Sequence, residues 1–419
     1  MYSIMPAENP FSRQQIFTIA ILAFLQFTIV LDFMVLSPLG AILMPSLDIT
    51  PAQFSHLVSA YAYSAFASGI LSAGFADKYD RKRLLLFFYT GFLGGTLFCG
   101  LAPDYPSLLV ARVITGLFGG VMGSVVFSII TDLFAMQQRG RVMGFVQMAF
   151  AASQVLGLPI GLYLANAFSW QMPFLMIVGI GLVVFVFIAL YMQPVDAHLQ
   201  LKKEITAFRH FYNTLTRKRY ITGFAATVLL ATGGFMLMPF GSAFAVNNLG
   251  LSMDDIPLVY MITGIATMIA GPIIGKVSDR VGKFPVFIAG TILTMVLVVI
   301  YCNLGITPLW LVVVVNVILF IGITSRMIAS SALMSAVPDI RDRGAFMGLN
   351  SSIQQLSGGL AASLAGLIVV QDENGYLQHY PILAYVVCVA MVITLVMMYR
   401  IHKLVQQQPA DQPLTPNNS

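Results

Sequence analysis

Long apolar runs alternate with short polar loops over nearly the whole chain. A membrane-crossing helix needs about 20 predominantly apolar residues at ~1.5 Å rise each. Twelve runs of that kind recur, at roughly 16–44, 52–76, 84–102, 106–133, 142–167, 170–192, 220–246, 255–277, 284–303, 307–334, 345–370 and 379–401. The hydrocarbon core offers the backbone no water, so such runs close their hydrogen bonds internally as α-helices. The alternating pattern of about ten residues that marks a barrel strand is absent from the sequence. The pattern predicts an all-α polytopic membrane protein of twelve transmembrane helices.

Charge is scarce and concentrated. Charged residues make up 9% of the 419 and hydrophobic residues 58%, with a mean hydropathy of +0.86; a soluble domain carries roughly a quarter charged residues. Yet six of the seven positions from Asp77 to Arg83 are charged. Sorting the loops of a twelve-span chain puts twenty of the twenty-two Lys and Arg on one side, the side of both termini. The other side carries acids, including Asp48, Asp104, Asp254, Asp255, Asp372 and Glu373. Basic loops stay cytoplasmic, so both termini are expected in the cytoplasm, with the chain multi-pass in the cell inner membrane. Topology thus accounts for the pI near 9.0 without nucleic acid as a partner.

Cys99, Cys302 and Cys388 stand singly inside apolar runs, with no ligand spacing or paired framework, and read as small packing residues. No metal or cofactor is expected. The polar N-terminus leads into a run too long for a signal-peptide core, so no cleavage is expected.

The chain repeats itself. "GKVSDRVGK" (Gly275–Lys283) resembles "AGFADKYDR" (Ala73–Arg81), which sets Asp279 opposite Asp77 at an offset of 202, and "RGAFMG" at Arg343 resembles "RGRVMG" at Arg139 at an offset of 204. Two independent pairs at nearly one offset predict two pseudo-symmetric six-helix bundles, 1–192 and 220–403. Between them, 193–219 forms a cytoplasmic linker. Its Leu201, Ile205, Phe208, Tyr212 and Leu215 follow helical spacing, as in an amphipathic helix on the inner leaflet; a solvated basic linker is the other reading. The polar, Pro-rich 404–419 is expected to be a disordered tail.

Two six-span halves with these loop motifs resemble the major facilitator superfamily over roughly residues 10–403. Its loop signature G-x-L-A-D-R-x-G-R-K is nearly complete in the second half, at Gly275, Val277, Ser278, Asp279, Arg280, Gly282 and Lys283. The first-half copy departs, with Ala73 and Asp80 in place of its glycines. The resemblance implies a charge network of Asp77, Arg81 and Asp132, echoed by Asp279 and Lys283, that latches the halves at the cytoplasmic face. "RVITGLFGGVMG", from Arg112, is similar to the span-four signature R-x-x-Q-G with Thr115 for Gln. "GLPIGLYLANAFSW" is similar to the antiporter signature G-P-x-x-G-G, matching at Gly157 and Gly161, with Leu158 and Leu162 departing.

Ionisable groups deep in a bilayer cost about 2.5–3.5 kcal/mol on insertion scales and mark function. Three stand well inside the runs: Asp32, Arg112 and Arg326. Burial favours a neutral carboxyl and a neighbouring guanidinium favours the charged one, so an acid whose surroundings alternate can carry a proton. Asp32 is expected to bind the proton and to exchange Arg112 for Arg326 as the protein alternates; a purely structural Asp32–Arg112 pair is the other reading. Gln26, Tyr61, Gln147, Gln154, Asn316, Asn350 and Gln354 are candidate cavity residues.

The expectation is a monomeric, proton-driven exporter of a small amphiphilic or drug-like molecule. It resembles the twelve-span drug:proton antiporters and their sugar-efflux relatives, with the proton gradient as energy source and lipids, protons and substrate as partners. The alternative is a proton-coupled importer or facilitator of a sugar or anionic metabolite. Enzyme readings lack support: a membrane aspartyl protease needs two carboxylates, and no H-E-x-x-H, G-x-S-x-G or G-x-x-x-x-G-K-[ST] motif occurs.

Overall fold

A computed structural model of the chain describes residues 11–72, 78–134, 136–196, 199, 214–338 and 343–406. The amphipathic stretch from Leu201 to Tyr212, together with Asp77, lies outside those residues. Among the described residues twelve long helical stretches form, ten of them long and apolar enough to cross a membrane, the exceptions being Pro51–Ser72 and Arg343–Ile368. They are Arg13–Val35 continued by Gly40–Leu47, Pro51–Ser72, Arg81–Leu101, Tyr105–Leu133, Met136–Ala152 continued by Leu158–Ala167, and Met172–Tyr191 in the first half. The second half has Lys218–Phe235 continued by Gly241–Asn247, Asp255–Val281, Lys283–Cys302, Leu309–Ser335, Arg343–Ile368 and Tyr380–Gln406. They are numbered one to twelve below. The last helix runs into the segment expected to be tail.

Helix starts follow local chemistry. Ser12 and Gln15 form a capping box at span one, and Asp104 and Ser107 another at span four, each satisfying N–H groups that a first turn leaves open. Asp80, which replaces a family glycine, caps span three: its Oδ1 accepts the Arg83 N–H at 2.8 Å, and its Oδ2 accepts the Val195 N–H at 2.7 Å. That departure from the signature therefore ties the loop to the segment leaving span six.

Three spans read as continuous runs are interrupted. Span one breaks over Leu36–Leu39, around Pro38, and span seven over Met236–Phe240, around Pro239. Proline removes a backbone donor and crowds the preceding turn. Span five passes through a π-turn at Ser153–Gly157. A two-stranded hairpin, β1 (Val370–Gln371) and β2 (Leu377–Gln378), links spans eleven and twelve.

The basic loops mark one face and the acidic loops the other. Towards the acidic face a single apolar core draws on both halves, with Leu31, Val35, Leu39 and Phe54 from the first and Met236, Phe240, Phe244 and Ala362 from the second. Towards the basic face two further cores form, one from each half. Spans two and eleven run side by side from Ser55 against Gly366 to Gly69 against Ser352. A methyl on Gly366 would collide with Ser55, so only glycine permits that approach. Across the other seam, Gln154 and Val155 of span five touch Gly264 of span eight, and Asn166 Nδ2 donates to the Met253 carbonyl at 2.9 Å.

Candidate functional site

The deepest charges of the first half meet. Asp32 on span one is 0% exposed and Arg112 on span four 1%. Arg112 Nη1 donates to Asp32 Oδ2 at 2.9 Å, and the Thr96 hydroxyl of span three donates to Oδ1 at 3.2 Å. The long Arg112 side chain reaches across from span four to make this bond. Tyr61 of span two lies beneath the guanidinium, 4.8 Å from ring centroid to Cζ. Thr115, in the signature's Gln position, donates to the Ala111 carbonyl at 2.8 Å and sits 3.8 Å from Cys99 Sγ. Close helix approach makes this possible: Gly116 and Gly120 pack directly on Tyr61 and Ala65, as their small-xxx-small spacing implies.

Such a pair is strong only where its hydrogen bonds are made and water is excluded. Asp32 has both oxygens bonded, whereas Arg112 Nε has no hydrogen-bond partner among the described residues.

An aromatic series leaves this pocket. Tyr61 meets Phe33 at 5.5 Å between centroids, and Phe33 meets Phe235 of span seven at 5.7 Å. The series crosses from the first half to the second. Sequence reasoning did not find it, because Phe is abundant along the spans, with 31 residues.

Other candidates are scattered. Arg326 is buried in the second half, its Cζ 5.9 Å from the Phe287 ring centroid. Asn350 Oδ1 accepts the Thr227 hydroxyl at 2.5 Å, and Asn316 is half-buried on span ten. Gln154 stands at the seam with span eight, Gln26 is half-buried, and Gln147 and Gln354 are exposed. Tyr61 is buried rather than open to a cavity. Arg81 Nε pairs with Asp132 Oδ2 at 3.2 Å within the first half, and Lys283 pairs with Asp279 one turn away within the second.

The model of the Major Facilitator Superfamily matches twice, over residues 22–225 and 223–418. The chain belongs to the major facilitator superfamily. Family membership agrees with the two-bundle helical fold and identifies a transporter, not an enzyme. Among relatives, the uncharacterized MFS-type transporter YceJ of Bacillus subtilis is 26% identical over 269 residues, 64% of this chain and 68% of that one. Multidrug resistance protein 3 of the same organism is 32% identical over 150 residues, 36% of this chain and 29% of that relative. A crystal structure of a bacterial homologue of the human lysosomal transporter Spinster, inward-facing and unoccupied, superposes with a TM-score of 0.69 at 17% identity. It covers 94% of this chain and 97% of that chain.

Proposed function

We propose that this superfamily member is a proton-coupled exporter of small amphiphilic molecules that lies in the inner membrane with its basic face in the cytoplasm. The observation that carries the reading is the Asp32–Arg112 pair: the one acid far from any span end is fully buried and bound to a single cation. Deprotonated, Asp32 holds span one to span four. Protonated, it releases Arg112, whose guanidinium rests on Tyr61 and, through Phe33, on Phe235 of the other half. A proton arriving from the acidic face thereby changes packing at the seam where the halves meet. Each proton moving with the membrane potential supplies about 2.3 kcal/mol per 100 mV. The multidrug name of a partial relative supports the outward direction.

Transport into everted vesicles tests this. Wild type is expected to accumulate a lipophilic probe when the lumen is acidified, and Asp32→Asn to lose that dependence. Uptake indifferent to pH in both proteins would remove Asp32 from the mechanism. Accumulation driven in the opposite sense would make the protein an importer.

A further inference from the structure

Arg326 is the deep cation that the Asp32–Arg112 pair leaves unexplained. It lies on the buried face of span ten with Gly322, Ala329 and Leu333, and is 6% exposed. Its Nε and Nη2 are both buried with no hydrogen-bond partner among the described residues. Around it stand the Phe287 ring, Gly233 and the side chains of Val387 and Met391. A methyl built on Gly233 would make ordinary contacts, 3.8 Å from Nη1 and 3.6 Å from Met391 Cε, so these neighbours line the Nη1 side of the guanidinium and leave the Nε/Nη2 edge to another partner.

A cation at this depth calls for a counter-charge, and the chain has none to give. Asp32 is the one acid away from the ends of the apolar runs, and its two oxygens are taken by Arg112 and Thr96. The unsatisfied atoms also have a shape. Nε–H and Nη2–H point the same way along one edge of the guanidinium, the edge that grips both oxygens of a carboxylate in two parallel bonds. One neutral partner would leave the charge uncancelled; one carboxylate satisfies both nitrogens and neutralises the site.

We propose that the Nε/Nη2 edge of Arg326 is the subsite for the carboxylate of the transported molecule, which makes the substrates monocarboxylic amphiphiles. The apolar body lies against the carbon surface of Phe287, Val387 and Met391, which offers nothing to a second charge. This rests on the transport reading above and gives its substrate a class. It also divides the work between the halves: the first holds the proton and the second holds the acid.

Binding of radiolabelled decanoate to the full-length protein in nanodiscs, with empty nanodiscs as background, tests the assignment. Saturable binding to wild type is expected, uncontested by decan-1-ol. Arg326→Met should weaken it by about tenfold or more, and Arg326→Lys by less, because an ammonium keeps the charge and loses the fork. Without ligand, Arg326→Met should melt no lower than wild type, since it removes a charge the fold does not pair. A lower melting temperature would reveal a partner inside the fold and overturn the proposal. So would decanoate binding that is absent from wild type or unchanged in Arg326→Met. The binding measurement needs no proton gradient, so it can fail while pH-driven uptake of the lipophilic probe stands, and the reverse; the two readings fail separately.

Discussion

At the scale of single residues, the Asp32–Arg112 pair is worth most as a pair. Both side chains lie within 1% of complete burial, so removing one partner strands the other in oil, at a cost of about 3–5 kcal/mol. Arg112→Met alone is therefore expected to destabilise the detergent-solubilised protein by that order. Asp32→Asn combined with Arg112→Met should recover part of the loss in chemical denaturation. A double variant as unstable as the sum of its singles would show that the charges do not act on each other. Asp32 and Arg112 were legible in the sequence because ionisable groups seldom sit deep in apolar runs. Thr96 was not, because a span threonine commonly bonds its own preceding turn. Thr90, Thr291 and Thr294 do so, through the carbonyls of Leu86, Phe287 and Gly290. Nothing in one chain's letters separates Thr96 from them.

At the scale of elements, the caps carry a pH signature. Asp104's carboxyl is held below its ordinary range, first by the Ser107 hydroxyl and then by the Ser107 backbone N–H. A lowered value in the folded state means that the cap's contribution is present at neutral pH and is lost as pH falls through that value. Ser107→Ala should move the Asp104 midpoint up towards the unperturbed ~3.9, as read by NMR titration of the labelled carboxyl. An unmoved midpoint would show that Ser107 is not its cause. The lengths of the spans were readable because rise per residue and membrane thickness fix them, but their interruptions were not. Pro239 breaks span seven, whereas Pro272 sits inside an unbroken span eight and Pro45 inside the end piece of span one. Whether a proline breaks a helix depends on what receives the freed backbone groups, and that is a property of neighbours.

For the whole molecule, the halves are joined by one core towards the acidic face and keep separate cores towards the basic face. Spans two and eleven touch nearly to their basic ends, where a Cβ built on Gly69 lies 3.9 Å from Ser352 Cβ, inside the range a disulfide spans. In a background without Cys99, Cys302 and Cys388, Gly69→Cys with Ser352→Cys should cross-link under mild oxidation. Transport should then stop and return with reductant. Turnover undiminished by a complete cross-link would mean that these ends never part. The two-bundle plan was visible in the paired motifs at Asp77 and Asp279, because a duplicated chain keeps its loop chemistry. How the bundles meet depends on side chains such as Phe33, Phe235 and Gly366, which no motif marks. The break in span seven has one more consequence. The carbonyl of Leu237 accepts the Tyr380 hydroxyl at 3.3 Å. Beyond the break, Asn248 grips Leu377 through both its N–H and its carbonyl, each at 3.0 Å. The bent tip is thus bolted to the hairpin and to the start of span twelve, so it cannot flex alone. Any swing of that rim would carry tip, hairpin and helix together as one lever.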